Sequence, residues 1–135
     1  MKRIALIVLL LVVFSSCFLF ARVPRHAFRA DPTYSSALAA ANQFLHAWQT
    51  QDRETGIMML ADSARQRVSR DRLEQFFSPT ANAAFEIRRG KRLHSGEYVF
   101  PVVLFGLPDV PSRPHAGRII LTRSGKDDWA VTRLP

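Results

Sequence analysis

Apart from one hydrophobic stretch near the N-terminus, the chain has no cysteine; the only one is Cys17. The region after it therefore holds no internal disulfide, no thiolate zinc site and no cysteine nucleophile. Glycine is almost as sparse. The six glycines are scattered singly, so there is no glycine-rich loop to cradle a phosphate or a dinucleotide. The four histidines, His26, His46, His94 and His115, stand apart, with no two at the spacing a metal site needs. No repeat of solenoid length and no low-complexity run is present. Nothing in the sequence calls for a cofactor or a metal.

One long apolar run is present. "MKRIALIVLLLVVFSSCFLFAR" opens with Lys2 and Arg3 and is then apolar from Ile4 to Ala21. Eighteen helical residues span roughly 27 Å, close to the hydrocarbon thickness of a bilayer. Three readings follow, in order of preference. The first is an uncleaved signal-anchor, because "FLFA" prolongs the run beyond the serines. The second is a lipoprotein signal, because "VFSSC" resembles a lipobox ending in Cys17, with Phe14 where leucine is usual. The third is a cleaved signal peptide, with small Ser15 and Cys17 before a cut. Lys2 and Arg3 face Arg22, Arg25 and Arg29 across the run, so the positive-inside comparison is nearly balanced. A short N-terminal tail still favours a single-pass protein of the bacterial inner membrane with its domain facing the periplasm or exterior; a lipoprotein or a secreted protein is the alternative. Residues 1–21 are thus read as the address, and 22–32, with two prolines and no period, as a juxtamembrane linker.

The remainder, 33–135, suffices for one domain. Over the whole chain, with 47% apolar and 22% charged residues, the composition is that of a globular protein. The formal charge is +8, but four of the 19 basic residues (Lys2, Arg3, Arg22 and Arg25) flank the apolar run. The 15 that remain from His26 onward oppose 11 acids, a mild excess of +4. That excess does not demand nucleic acid.

Helical signals come first. Leu38, Ala41, Leu45 and Trp48 form one stripe in "TYSSALAAANQFLHAWQTQ", widened by Phe44 and capped by Thr33, Ser35 or Ser36. His46 lies on the solvent side with Gln43 and Thr50. Asp52 reads as the cap of a second helix, "RETGIMMLADSARQRV", with Ile57, Leu60 or Ala61, Ala64 and Val68 inward and Gly56 weakening its first turn. Ser69 caps a third, "RDRLEQFF", which buries Leu73, Phe76 and Phe77 and stops at Ser78–Pro79. The period then changes to two. "AFEIRRGKRL" is a half-buried strand, "HSGE" a turn and "YVFPVVLFGL" a central strand. Within the last, Pro101 implies a bulge or a place where its missing N–H is not needed. "PDVPSRPHAG" reads as a proline-rich loop that includes His115. "RIILTR" and "WAVTRL" are strands joined by the turn "SGKDD". Three helices followed by about four antiparallel strands make an α+β layer fold.

That order, with "AANQFLHAWQTQD", "GIMMLAD", "SRDRLEQFF" and the strands "FEI…GEYVFPVVLF…GRIILTR…DDWAVTRL", resembles the nuclear-transport-factor-two-like superfamily. It looks most like the small exported or membrane-anchored bacterial members of unassigned role. The resemblance runs from Ser35 to Leu134 and is one of layout. It implies N-terminal helices on a curved antiparallel sheet, a cone-shaped roll with an apolar cavity, and dimerisation through the sheet face. Trp48, Met58, Met59, Phe76, Phe77, Tyr98 and Phe100 would then line the pocket or fill the core.

The enzymatic members of the superfamily, of the ketosteroid isomerase and dehydratase type, need an acid aimed into the cone and a hydroxyl to steady an enolate. The candidates are Asp62, Tyr34, Tyr98, His94 and His115, and they form no familiar constellation. Asp62 serves equally well as a partner of Arg65 or Arg67. The basic clusters "RRGKR" and "RQRVSRDR" read as solvated faces in preference to sites for anionic lipid. A non-catalytic binding or assembly module is the expectation. Its partners would be the membrane through residues 4–21, a protein or a second copy at the sheet face, or an apolar small molecule, with no nucleic acid.

Overall fold

A computed structural model describes residues 31–135. The hydrophobic segment, the lipidation candidate Cys17 and most of the linker lie outside the described residues. Within them the chain is α+β, with four helices followed by a five-stranded antiparallel open sheet.

Helix α1 (Pro32–Gln49) carries the core stripe, with Ala37, Ala41, Phe44, Leu45, Ala47 and Trp48 buried. Its cap is not Thr33, Ser35 or Ser36, as the sequence suggested. Asp31 does this work, accepting from the Thr33 amide at 3.0 Å, and Pro32 occupies the first turn, where its missing N–H costs nothing. At the far end the Gln51 amide donates to the Trp48 carbonyl and the Asp52 amide to the Ala47 carbonyl. These two bonds define a Schellman closure, whose left-handed position is filled by Gln51 at φ 60° in place of the usual glycine. The Gln51 side chain is held in turn by the Pro79 carbonyl at 2.9 Å.

The expected second helix is divided. Helix α2 (Arg53–Met58), capped by Asp52, ends before Leu60, and helix α3 (Asp62–Arg67) begins just after it. Between them the chain extends, and Leu60 forms a parallel bridge with Val131. The Val131 amide donates to the Met59 carbonyl at 2.8 Å, and the Ala61 amide donates to the Val131 carbonyl at 2.9 Å. An open sheet edge needs partners for its backbone groups, and three residues of helix were given up to supply them. Helix α4 (Arg70–Phe76) is capped by Ser69, as expected.

The strand expected over "AFEIRRGKRL" is also two strands, β1 (Ala84–Ile87) and β2 (Lys91–His94), both paired with the long β3 (Glu97–Phe105). Pro101 faces the break. Its carbonyl accepts from the Arg88 amide at 2.8 Å, and the N–H it lacks would have pointed at the same interrupted stretch. Strand β4 (His115–Arg123) follows, then β5 (Trp129–Arg133). His115 therefore opens a strand opposite Leu104 and is not in the preceding loop.

Alternate residues of β3 face opposite ways. Tyr98, Phe100, Val102 and Leu104 join Ile119, Leu121, Trp129 and Val131 under α1, in one core with Leu60, Ala64, Leu73 and Phe77. All four helices contribute to that side. No helix among the described residues is long and apolar enough to cross a membrane.

Candidate functional site

Two of the groups with perturbed acidity, Asp31 and Tyr98, meet where α1 begins. Asp31 caps the helix with one carboxylate oxygen and accepts from the Tyr98 hydroxyl with the other, at 2.8 Å. Tyr98 is held on the inner face of β3 and is buried. Beside it, the Tyr34 hydroxyl accepts from the Gly90 amide at 3.2 Å, one helical turn along from Asp31. The break between β1 and β2 makes this approach feasible. A Cβ on Gly90 would lie 2.3 Å from the Phe100 ring, so the aromatic layer reaches the backbone only at a glycine. Arg89, Lys91 and Arg92 border the opening, a hollow of about 460 Å³ that also touches Tyr34 and Ser35.

The electrostatics follow from this packing. The Tyr98 hydrogen bond, with help from Thr33, holds the Asp31 carboxyl below the usual carboxylate range. Burial raises the Tyr98 phenol above its ordinary value, and the Asp31 carboxylate raises it further. Near neutrality the pair is therefore an ionised carboxylate accepting from a neutral phenol. Such a pair could offer a base and a hydrogen-bond donor to a ligand in the hollow, but each member now satisfies the other. As built, it ties the N-terminus of α1 to the sheet.

The other candidates are dispersed. Asp62 is 86% exposed at its side chain and bonded to Arg65 at 2.8 Å, one of the two surface roles its position allowed. His46 is exposed on the solvent side of α1, as its position in the stripe predicted. His94 is exposed with Glu97 3.9 Å away, and His115 is exposed. Among the described residues no three His, Cys, Asp or Glu side chains gather as metal ligands.

The seven aromatic and methionine residues divide among three places. Trp48, Phe76 and Phe77 join Phe44 in one cluster with ring centroids 5.1–6.2 Å apart. Tyr98 and Phe100 join Tyr34 and Trp129 in a second. Met58, 67% exposed, and the half-buried Met59 border a surface depression on the far side of α2. Sequence reasoning missed Asp31 by reading it as linker. The signal was there, since an Asp-Pro pair before an alanine-rich run is a cap followed by a first-turn proline.

No family model, curated protein or solved structure matches the chain.

Proposed function

We propose that the chain is a nuclear-transport-factor-two-like domain, its sheet curved around α1 as a cone-shaped roll. In this reading residues 4–21 tether it to a bacterial inner membrane, facing out of the cytoplasm, and it acts as a binding or assembly module. The observation carrying the reading is the contrast between the two faces of the sheet. The helix-covered side is packed with aromatic and aliphatic side chains, apart from the hollow at the Asp31–Tyr98 pair. On the other side Val99, Pro101, Val103 and Phe105 run along β3 beside Ile120, with no described helix over them. Val99 and Val103 are buried, whereas Phe105 remains 41% exposed. Glu86, Lys91 and Arg118 sit on the same face by register. An apolar centre within a charged rim is the anatomy of a protein interface. A second copy of the chain is the partner the resemblance suggests.

Sedimentation of the full chain in detergent tests this. The reading expects a dimer that Phe105→Glu converts to monomer without loss of helical signal; a monomeric wild type with no partner at this face overturns it. Intact mass of the membrane fraction tests the tether: full-length mass supports the anchor, and loss of the residues before Cys17 with added lipid mass supports the lipoprotein. The second reading, an isomerase- or dehydratase-type enzyme, draws support from the buried Tyr98 phenol on Asp31 and none from Asp62. Turnover of a 3-ketosteroid that Tyr98→Phe abolishes would establish it.

A further inference from the structure

A cleft distinct from the sheet face and from the Asp31–Tyr98 pair lies between α3, α4 and the end of β5. We propose that it binds a small organic anion bearing a short apolar chain, of the kind a medium-chain carboxylate represents. The proposal does not depend on the membrane tether or on the sheet-face interface.

Three arginines, Arg67, Arg72 and Arg133, border the cleft, and no acidic side chain does. Val68, Phe76 and Leu134 supply an apolar lining. The cleft is open on one side and has a volume of about 370 Å³, within the range of small-molecule sites and enough for a chain of several carbons.

Two of the surrounding acids, Glu74 and Asp62, are already engaged. Glu74 on α4 pairs with Arg53 at 3.1 Å and Arg70 at 3.3 Å, and Asp62 pairs with Arg65. Asp71 is adjacent to Arg72, but consecutive helical residues do not share a face. Among the described residues Arg67, Arg72 and Arg133 form no ion pair. Three guanidinium groups border one apolar hollow, and planar guanidinium forks suit a carboxylate or phosphate head.

The cleft is also held in shape by specific devices. Arg67 is fixed along its length, donating through Nε to the Ser63 carbonyl at 2.9 Å and through Nη2 to the Thr132 carbonyl at 3.3 Å. It thus clamps α3 to β5. Strand β5 carries a bulge at this point, for Val131 faces Leu121 while Arg133 faces Ile120, leaving Thr132 as the extra residue. A bulge bends its strand and re-aims the side chains that follow. Leu134 and Pro135 continue across β4, where a Cβ on Gly117 would lie 2.9 Å from Pro135; glycine lets this lip close down. Phe76 connects the lining to the interior, its ring 6.1 Å from that of Trp48.

Equilibrium dialysis of radiolabelled octanoate tests the site, using the full chain in phosphatidylcholine nanodiscs with empty nanodiscs subtracted. The expected result is saturable uptake of one octanoate per chain. Octanamide, which has the same tail and no charge, binds at least tenfold more weakly. The double variant Arg72→Gln/Arg133→Gln, whose exposed positions leave the melting temperature near that of wild type, loses at least tenfold in octanoate affinity. Val68→Trp, which fills the hollow, abolishes uptake. Absence of saturable uptake by the folded wild type overturns the proposal. So do equal affinities for octanoate and octanamide, a comparison that requires no variant.

Discussion

The two ends of α1 press aromatic side chains against the same sheet, yet they treat polar atoms differently. Near the C-terminal end, Phe44, Trp48, Phe76 and Phe77 interlock as hydrocarbon. The Trp48 indole N–H is buried there with no acceptor among the described residues. Near the N-terminal end every aromatic polar tip is placed. Tyr34 accepts from Gly90, Tyr98 donates to Asp31, and the Trp129 indole donates to Ser36 at 2.9 Å. One end is held by packing, with a donor left over; the other is held by packing and by directed bonds. A directed bond fixes geometry that packing alone leaves free to slide. The end that orients the helix on the sheet is accordingly the one where a carboxylate and a buried phenol share a bond.

The largest test of this contrast is Trp48→Ala. Emptying a fully buried aromatic site should cost about 3–5 kcal/mol in urea unfolding, whereas a surface substitution costs a few tenths. A loss below about 1 kcal/mol would show that the C-terminal cluster is loosely packed.

Gly56→Ala comes next and tests a sign. Helix propensity alone favours alanine by about 1 kcal/mol. In the fold, a Cβ at Gly56 would lie 2.2 Å from the Phe77 ring, so overpacking should reverse the sign and cost about 1–3 kcal/mol. A stabilised variant would mean that Phe77 can move aside.

A matched pair isolates the polar difference. Trp129→Phe removes a made hydrogen bond and Trp48→Phe removes an unmade one, for similar lost volume. The first should be the costlier by about 1 kcal/mol. Equal losses would dissolve the distinction between the two ends.

The smallest effect is Tyr98→Phe, at about 1 kcal/mol, and its value lies in its pH dependence. Asp31 has its carboxyl held below the unfolded value of 3.8, so its contribution is present above that pH and is lost as pH falls through the lower folded value. Tyr98 has its phenol raised, so its contribution is complete below pH 10 and is lost as pH rises through the higher folded value. Tyr98→Phe should flatten the alkaline loss and reduce the acid one. Part of the acid loss should persist, because Asp52 is likewise held low by its bonds to Thr55. Unchanged pH profiles would mean that the Asp31–Tyr98 bond contributes nothing in solution.

Much of the fold was legible in local pattern. The stripe of α1, the Asp52 and Ser69 caps, the exposed face of His46 and the turns at 94–97 and 124–128 all follow from spacing and capping chemistry. What the sequence concealed lies where a distant partner overrode a local preference. Residues 53–68 have helical periodicity throughout, but the free edge of β5 at Val131 drew Met59–Ala61 out of the helix. "AFEIRRGKRL" alternates as one strand, but Pro101 has no N–H to offer, and the ladder breaks opposite it. Gly56 looked like a weak point in a helix and is instead the surface on which Phe77 rests.

The candidate sites were less legible still. Asp31 is 67 residues from Tyr98, and Arg67 is 65 residues from the Thr132 carbonyl it clamps. No periodicity connects positions so far apart. By itself the sequence determined the class of fold, the faces of the longest described helix and the lack of cysteine or a glycine-rich loop after Cys17, because those follow from side-chain type and near-neighbour spacing. Only the tertiary structure decided which acid meets which phenol, which arginines share a cleft and which residue of β3 stays exposed. Those are contacts between remote residues, and the packing of helices on the sheet brings them together.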